Sequence, residues 1–309
     1  MDQSLNHQES LHSNGSGRGL LLLLRPKMIW VGMRSSWGIL AAVSGHLTVR
    51  QASAAPGHHS LPVRTLQTLA QREPVCLKKL SAPDTGVLEL TLQRPEVKNA
   101  ISWELMTRLR GAIHKIEADA TAKVVLVASS VPGVFCAGAD LKALSIPTIA
   151  VIEGAALGGG LELALSCDLR ICGENATLGL PETGLAIIPG AGGTQRLPRI
   201  IGKSRAKELI FTGRRCDATE AVLMGLANYC VPAGEAYGKA LELAREITKK
   251  GPLGVRMAKK AIDQGMEVAD MRSALAVEGE CYEQLLHTQD RLECLAAFAE
   301  KREPVYTGE

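Results

Sequence analysis

The sequence predicts an α/β core followed by a helical C-terminal region. Three observations carry that prediction. Residues 124–128 (VVLVA) and 148–152 (TIAVI) are apolar throughout, as in strands buried on both faces of a parallel sheet. Residues 102–118 place Leu105, Leu109 and Ile113 at helical spacing. From Thr194 onward the periodicity is helical. Strands alternating with helices, then helices alone, are the order expected of a sheet core with a helical extension.

The elements follow in sequence. Residues 86–92 alternate, with Leu88, Leu90 and Leu92 facing one way and Glu89 and Thr91 the other, which is a half-buried strand. Ser102 stands as N-cap of the helix that follows. After the 124–128 and 148–152 strands, residues 161–165 open a helix straight behind three glycines, and residues 169–172 form another buried strand. Asp217 and Glu220 make a D-x-x-E cap. Further helices are expected at about 235–249, 253–264, 271–286 and 289–301. The folded part should begin near Val75.

Composition narrows the function. The chain has 309 residues, 46% hydrophobic and 22% charged, with a net charge of +3. Residues 1–72 hold seven Lys/Arg against two acidic residues, so the rest is near neutral and offers no electrostatic footprint for nucleic acid. Five of the seven histidines precede residue 60, leaving His114 and His287 for the body. That argues against a histidine-based triad or a His-rich metal site. Eight cysteines are scattered without a C-x-x-C, as expected of small buried hydrophobes in a reducing compartment. The leader is rich in Ser, Leu, His and Arg and poor in acids after Glu9. Its five-leucine run (residues 20–24) is closely flanked by Arg18, Arg25 and Lys27, so no window spans a bilayer. It reads as an organelle transit peptide, with mitochondrion favoured over plastid partly on the family resemblance given below.

Several signatures are absent. Gly202-Lys203-Ser204 looks like the end of a phosphate loop, but Leu197 stands where that loop needs glycine. There is no G-x-S-x-G and no H-E-x-x-H. The glycines at 190, 192 and 193 read as a turn before a helix rather than an anion cradle.

Two small-residue loops remain. FCAGADLK (residues 135–142) follows the VVLVA strand, and ALGGGLELA (residues 156–164) follows the TIAVI strand. Open α/β sheets place ligands at such strand ends. Small side chains bring backbone N–H groups to a ligand, and the second loop adds a helix N-terminus. Alone, each reads as a tight turn; side by side, they can donate two hydrogen bonds to one oxygen. Glu162 lies in the first turn of the glycine-led helix, and Glu182 lies in GLPETG (residues 179–184). Alone, these are a helix-terminal charge and a loop carboxylate. Converging on one water, they form an acid/base pair.

FCAGADLK, IEGAALGGGLELALSCDLRI, LGLPETGLAIIPGAGGTQRLPRIIG, the early PEVKNAIS and the tail DRLECLAAFAEKREPVYTGE together resemble the enoyl-CoA hydratase (crotonase) family over residues 80–309, nearest its methylglutaconyl-CoA hydratase-like branch. The resemblance implies a crotonase-like ββα spiral core at 75–232 and a helical trimerisation region at 233–309, behind a leader at 1–74. It implies an oxyanion hole from the N–H groups of Ala139 and Gly159, with Glu162 and Glu182 activating water. Ala137, Ala139, Asp140, Leu141, Lys142 and Gly158 would line the CoA site. The implied reaction is hydration of a trans-2-enoyl-CoA in the mitochondrial matrix, by a homotrimer or hexamer. No metal or cofactor is needed, since CoA arrives with the substrate. Isomerase and hydrolase chemistry remain alternatives within the family. RNA binding through a lysine-rich helix does not carry over, because the corresponding helix has only Arg108, Arg110 and Lys115. One departure stands out: the family carries a longer, largely helical segment after the ADLK loop, whereas here Lys142 runs directly into the next strand. Weakened or absent activity and no helix over that sheet face are the expectations; an alternatively spliced form is the simplest account beside a natural short variant, and an inactive subunit that assembles with full-length members is the alternative.

Overall fold

The computed structural model describes residues 73–135, 141 and 144–309. Of the leader expected at 1–74, residues 1–72 therefore lie outside the described residues, as do Ala137, Ala139, Asp140 and Lys142.

Strand β1 (Val75–Lys79) pairs antiparallel with β2 (Val87–Leu92). Helix α1 (Trp103–Glu117) follows, and the Ser102 hydroxyl accepts the Leu105 N–H at its start, as the sequence predicted. Strands β3 (Val124–Ser129), β4 (Thr148–Ile152), β6 (Leu169–Gly173) and β9 (Tyr229–Val231) extend the sheet in the order β1-β2-β3-β4-β6-β9, parallel from β2 onward. A second, three-stranded sheet runs β5 (Ala155–Leu157), β7 (Thr177–Gly179) and β8 (Arg215–Asp217), with β5 and β7 parallel. Between them lie α2 (Gly159–Ser166), α3 (Gly193–Ile201), α4 (Lys203–Thr212) and α5 (Ala218–Leu223). Four helices close the chain: α6 (Ala236–Thr248), α7 (Pro252–Gly265), α8 (Met271–Glu283) and α9 (Gln289–Glu300). Asp217, Asp270 and Thr288 cap α5, α8 and α9 through their side chains.

The all-apolar strands are buried on both faces because both faces are covered. Val124, Leu126 and Ala128 of β3 pack with Ala236, Ala240 and Ala244 of α6, whose small side chains let the helix approach closely. Val125 and Val127 face the other way, into a cluster with Leu105, Leu109 and Ile116 of α1.

That second face corrects one expectation. Only eighteen residues join β3 to β4, and no helix occurs among the described ones. The face is nevertheless sealed. Leu141, Leu144 and Ile146, described residues between β3 and β4, join the same cluster, at 0%, 1% and 3% exposure. These three side chains and helix α1 together cover the face. The crossover is fastened below by Asp168, which accepts the N–H and hydroxyl of Thr148 at 2.7 and 2.9 Å and the Lys259 ammonium of α7 at 2.8 Å.

Candidate active site

The glycine-led loop does not follow β4 directly. After Ile152 the chain turns at Glu153-Gly154 and enters β5 of the second sheet before reaching Gly158. The turn needs glycine, because a Cβ on Gly154 would overlap the Gly133 backbone. Sequence periodicity missed this change of sheet because β5 and β7 have three residues each, too few to show a pattern.

The second sheet is what brings the two glutamates together. β5 and β7 are parallel neighbours with Leu157 opposite Gly179, so their C-terminal ends open side by side. From β5 the chain passes Gly158 into α2, whose first turn carries Glu162. From β7 it passes Leu180 into a 3-10 turn, Pro181–Leu185, which carries Glu182. Gly158 adopts φ +56°, and a Cβ there would sit 3.1 Å from Oε1 of Glu182. The Glu182 carboxylate therefore lies against the start of the helix that bears Glu162.

The two carboxylates have different surroundings. Glu162 is 2% exposed, and its Oε1 accepts the N–H groups of Ala191 and Gly193 at 2.8 and 2.7 Å. Residues 190–193 (GAGG) are thus both the turn before α3 and an anion cradle, and the anion is the protein's own Glu162. The sequence reading favoured the turn over the cradle, because a carboxylate partner about thirty residues upstream leaves no local signal. Glu182 is half-buried, and its Oε2 is buried without a hydrogen-bond partner. Burial, with the nearby Glu162 charge adding to it, pushes the Glu182 carboxyl above its ordinary value. One carboxylate is fixed by amide donors and the other is biased toward holding a proton, which is the asymmetry that acid/base chemistry needs.

Gly159 is the first residue of α2, so its N–H has no acceptor within the helix and carries the positive end of the helix dipole. The N–H of Gly158 donates to the Gly179 carbonyl at 2.9 Å. Ala139, the expected second oxyanion donor, lies outside the described residues, as do Ala137, Asp140 and Lys142. Leu141 is fully buried and its N–H donates to the Ser166 hydroxyl at 3.1 Å. Both its side chain and its amide are engaged within the fold.

Asn99 is a residue the sequence reading passed over. It is fully buried with φ +55°, its Oδ1 accepts the Arg94 N–H, and its Nδ2 donates to Ser129 Oγ and the Phe135 carbonyl, both at 2.9 Å. It thereby ties the PEVKN turn to the entrance of the FCAGADLK loop. An Asn in a turn before a helix is the available signal, since Asn tolerates positive φ better than most residues.

A cleft of about 640 Å³ lies elsewhere, between Leu144-Ser145 and α7, and neither glutamate lines it. Among the described residues, no group of His, Cys, Asp and Glu is arranged to hold a metal ion. None of the described helices is long and apolar enough to cross a membrane.

In this α/β fold two parallel strand ends thus bring together a carboxylate fixed by amides, one pushed toward protonation and a glycine-led helix start. A family model for enoyl-CoA hydratase/isomerase matches residues 83–145 and 142–309. The chain is 60% identical over 259 residues to the "probable enoyl-CoA hydratase 2, mitochondrial" of Arabidopsis thaliana, covering 76% of this chain and 86% of the relative. It is 46% identical over 262 residues to the mitochondrial methylglutaconyl-CoA hydratase of Mus musculus, covering 75% and 83%. The crystal structure of an enoyl-CoA hydratase from Bacillus anthracis aligns with a TM-score of 0.73 at 43% identity, covering 76% of this chain and 100% of that one. The chain belongs to the enoyl-CoA hydratase/isomerase family and has its crotonase fold.

Proposed function

We propose that this chain hydrates trans-2-enoyl-CoA thioesters to 3-hydroxyacyl-CoA. The supporting observation is the unlike pair, Glu162 and Glu182, meeting beside the start of α2. Glu162, oriented by two amides, takes a proton from water as its oxygen adds to C3. The electron pair of the C2–C3 double bond moves toward the thioester oxygen, where Gly159 N–H, with Ala139 N–H, stabilises the developing enolate. Glu182, raised by burial, delivers the proton to C2. Bond changes balance: one water is added, and nothing is oxidised or reduced. CoA enters as part of the substrate, with Ala137, Ala139, Asp140, Lys142 and Gly158 lining its site while Leu141, expected there too, is instead buried in the core, and the reaction needs no resident metal or cofactor. Mitochondrial naming of the relatives and the Arg/Ser-rich leader support a mitochondrial protein, in the matrix. Exposed Ile262, Met266, Met271, Leu275 and Phe298 on the C-terminal helices support assembly into trimers or hexamers.

A second reading is a catalytically silent subunit. The match to the Arabidopsis relative runs over 259 residues yet takes up 76% of these 309, about 235, so about 24 positions of the relative have no counterpart here. The family match breaks at 142–145. Both observations favour a crossover shortened at the loop that would wall the acyl group, as an alternatively spliced form would be. Crotonyl-CoA hydration by purified protein tests the two readings. Turnover that vanishes in Glu162→Gln and Glu182→Gln supports the hydratase. Absent turnover, restored by a helical insert after Lys142, supports the silent subunit. Accumulation of a shifted double bond or free acid would point to isomerase or hydrolase chemistry.

A further inference from the structure

The mechanism requires Glu162 to be held still, and the groups that hold it belong to a different element. Oε1 of Glu162 receives two N–H groups from the turn into α3. The turn is shaped for this. A Cβ on Gly193 would lie 2.9 Å from Oε1 of Glu162, 2.9 Å from Pro189 Cβ and 3.0 Å from Leu180 Cδ1, so only glycine lets the carboxylate reach both amides. Gly192 adopts φ +103°, and a Cβ there would run into the Arg196 guanidinium. Arg196, one turn into α3, donates from Nη1 to the Ala191 carbonyl at 2.7 Å. The peptide groups on either side of Ala191 are therefore fixed from opposite ends. Its N–H is held by the carboxylate and its carbonyl by the guanidinium.

We propose that Arg196 is a positioning residue for the hydration reaction, acting through the Ala191–Gly193 turn to set the Glu162 carboxylate against the reacting water. Arg196 is partly exposed and outside the core cluster, so it can be changed without opening a cavity. The catalytic part of this inference rests on the hydratase reading; the cradle itself does not.

The test has two arms. In the first, amide hydrogen exchange at Ala191 and Gly193 is compared in wild type, Glu162→Gln and Arg196→Ala. Replacing a charged acceptor by a neutral one of the same shape weakens both bonds, so exchange at the two amides should rise about tenfold in E162Q. Arg196→Ala should raise it similarly. In the second arm, Arg196→Ala should lower kcat for crotonyl-CoA about tenfold or more, as expected when a catalytic group is misplaced by a fraction of an ångström. KM should stay within about twofold, because Arg196 contributes no uniform binding of substrate. Arg196→Lys, which keeps a donor for the Ala191 carbonyl, should recover most of kcat. Unchanged exchange at both amides in E162Q and R196A would overturn the cradle. Wild-type kcat in R196A, or a loss confined to KM, would overturn the positioning role. A wild-type protein that does not hydrate crotonyl-CoA would defeat the hydratase reading, while the exchange arm still decides the cradle.

Discussion

Glu182→Gln sets stability against activity in one residue. Oε2 of Glu182 is buried without a partner. Burial first, and the Glu162 charge behind it, hold the carboxyl above its ordinary 4.5. The native state therefore binds this proton more tightly than the unfolded chain does. The stability Glu182 contributes is full below about pH 4.5 and is lost as pH rises through the raised native value. Glutamine has nearly the same shape and cannot ionise. At neutral pH the variant should therefore be more stable than the wild type. The group is half-buried, so the gain is discounted for solvent screening to about 1 kcal/mol, the low end for an unsatisfied buried polar group. For a folded body of this size that is about 2–4 °C in Tm. The gain should disappear as the wild type protonates in acid. The same variant loses its proton donor, so hydration should fall about 10²–10⁴-fold. Thermal melts of both proteins from about pH 4 to about pH 8, with crotonyl-CoA turnover beside them, read all three quantities. A variant less stable than wild type at neutral pH, or stabilised equally at acid pH, would refute this account of the Glu182 environment.

Three further substitutions probe the frame around the site. Gly158→Ala places a Cβ in the left-handed region and 3.1 Å from Glu182 Oε1, so it should cost about 1–2 kcal/mol and lower kcat more than KM, checked by denaturant titration and steady-state kinetics. Asn99→Ala leaves the Arg94 N–H and the Phe135 carbonyl without their partner, and denaturant unfolding should show a loss of about 1–3 kcal/mol. Lys259→Met removes the ammonium that pairs with Asp168 at a site where the two side chains are 10% and 30% exposed; a loss of about 2–4 kcal/mol is expected from urea unfolding, with limited proteolysis showing earlier cutting around α7.

The long, periodic elements were legible in the sequence and the short, non-local ones were not. The capped helix at Ser102, the apolar β3 and β4, and the four C-terminal helices lie where pattern and capping chemistry place them. Each states its environment locally, through period, cap or continuous apolarity. The second sheet did not, because strands of three residues carry no period. Glu162 and Glu182 were legible as candidates because each stands among glycine, proline and apolar residues. Their unequal environments were not, because those depend on Ala191 and Gly193 returning from α3 and on Gly158 lying against Glu182. The sealed sheet face at the short crossover escaped for the same reason. Leu141, Leu144 and Ile146 show no periodicity, and only the folded chain turns all three inward.

The central claim is that Glu162 and Glu182 share one water and add it across a thioester-conjugated double bond. Turnover of crotonyl-CoA in water enriched in heavy oxygen, followed by mass analysis of the product, tests it most directly. The account predicts 3-hydroxybutyryl-CoA carrying the heavy oxygen at C3, with labelled product forming at least about a hundredfold more slowly in Glu162→Gln and in Glu182→Gln. Heavy oxygen appearing only in a released carboxylic acid, or labelled product forming at the wild-type rate in both variants, would contradict it.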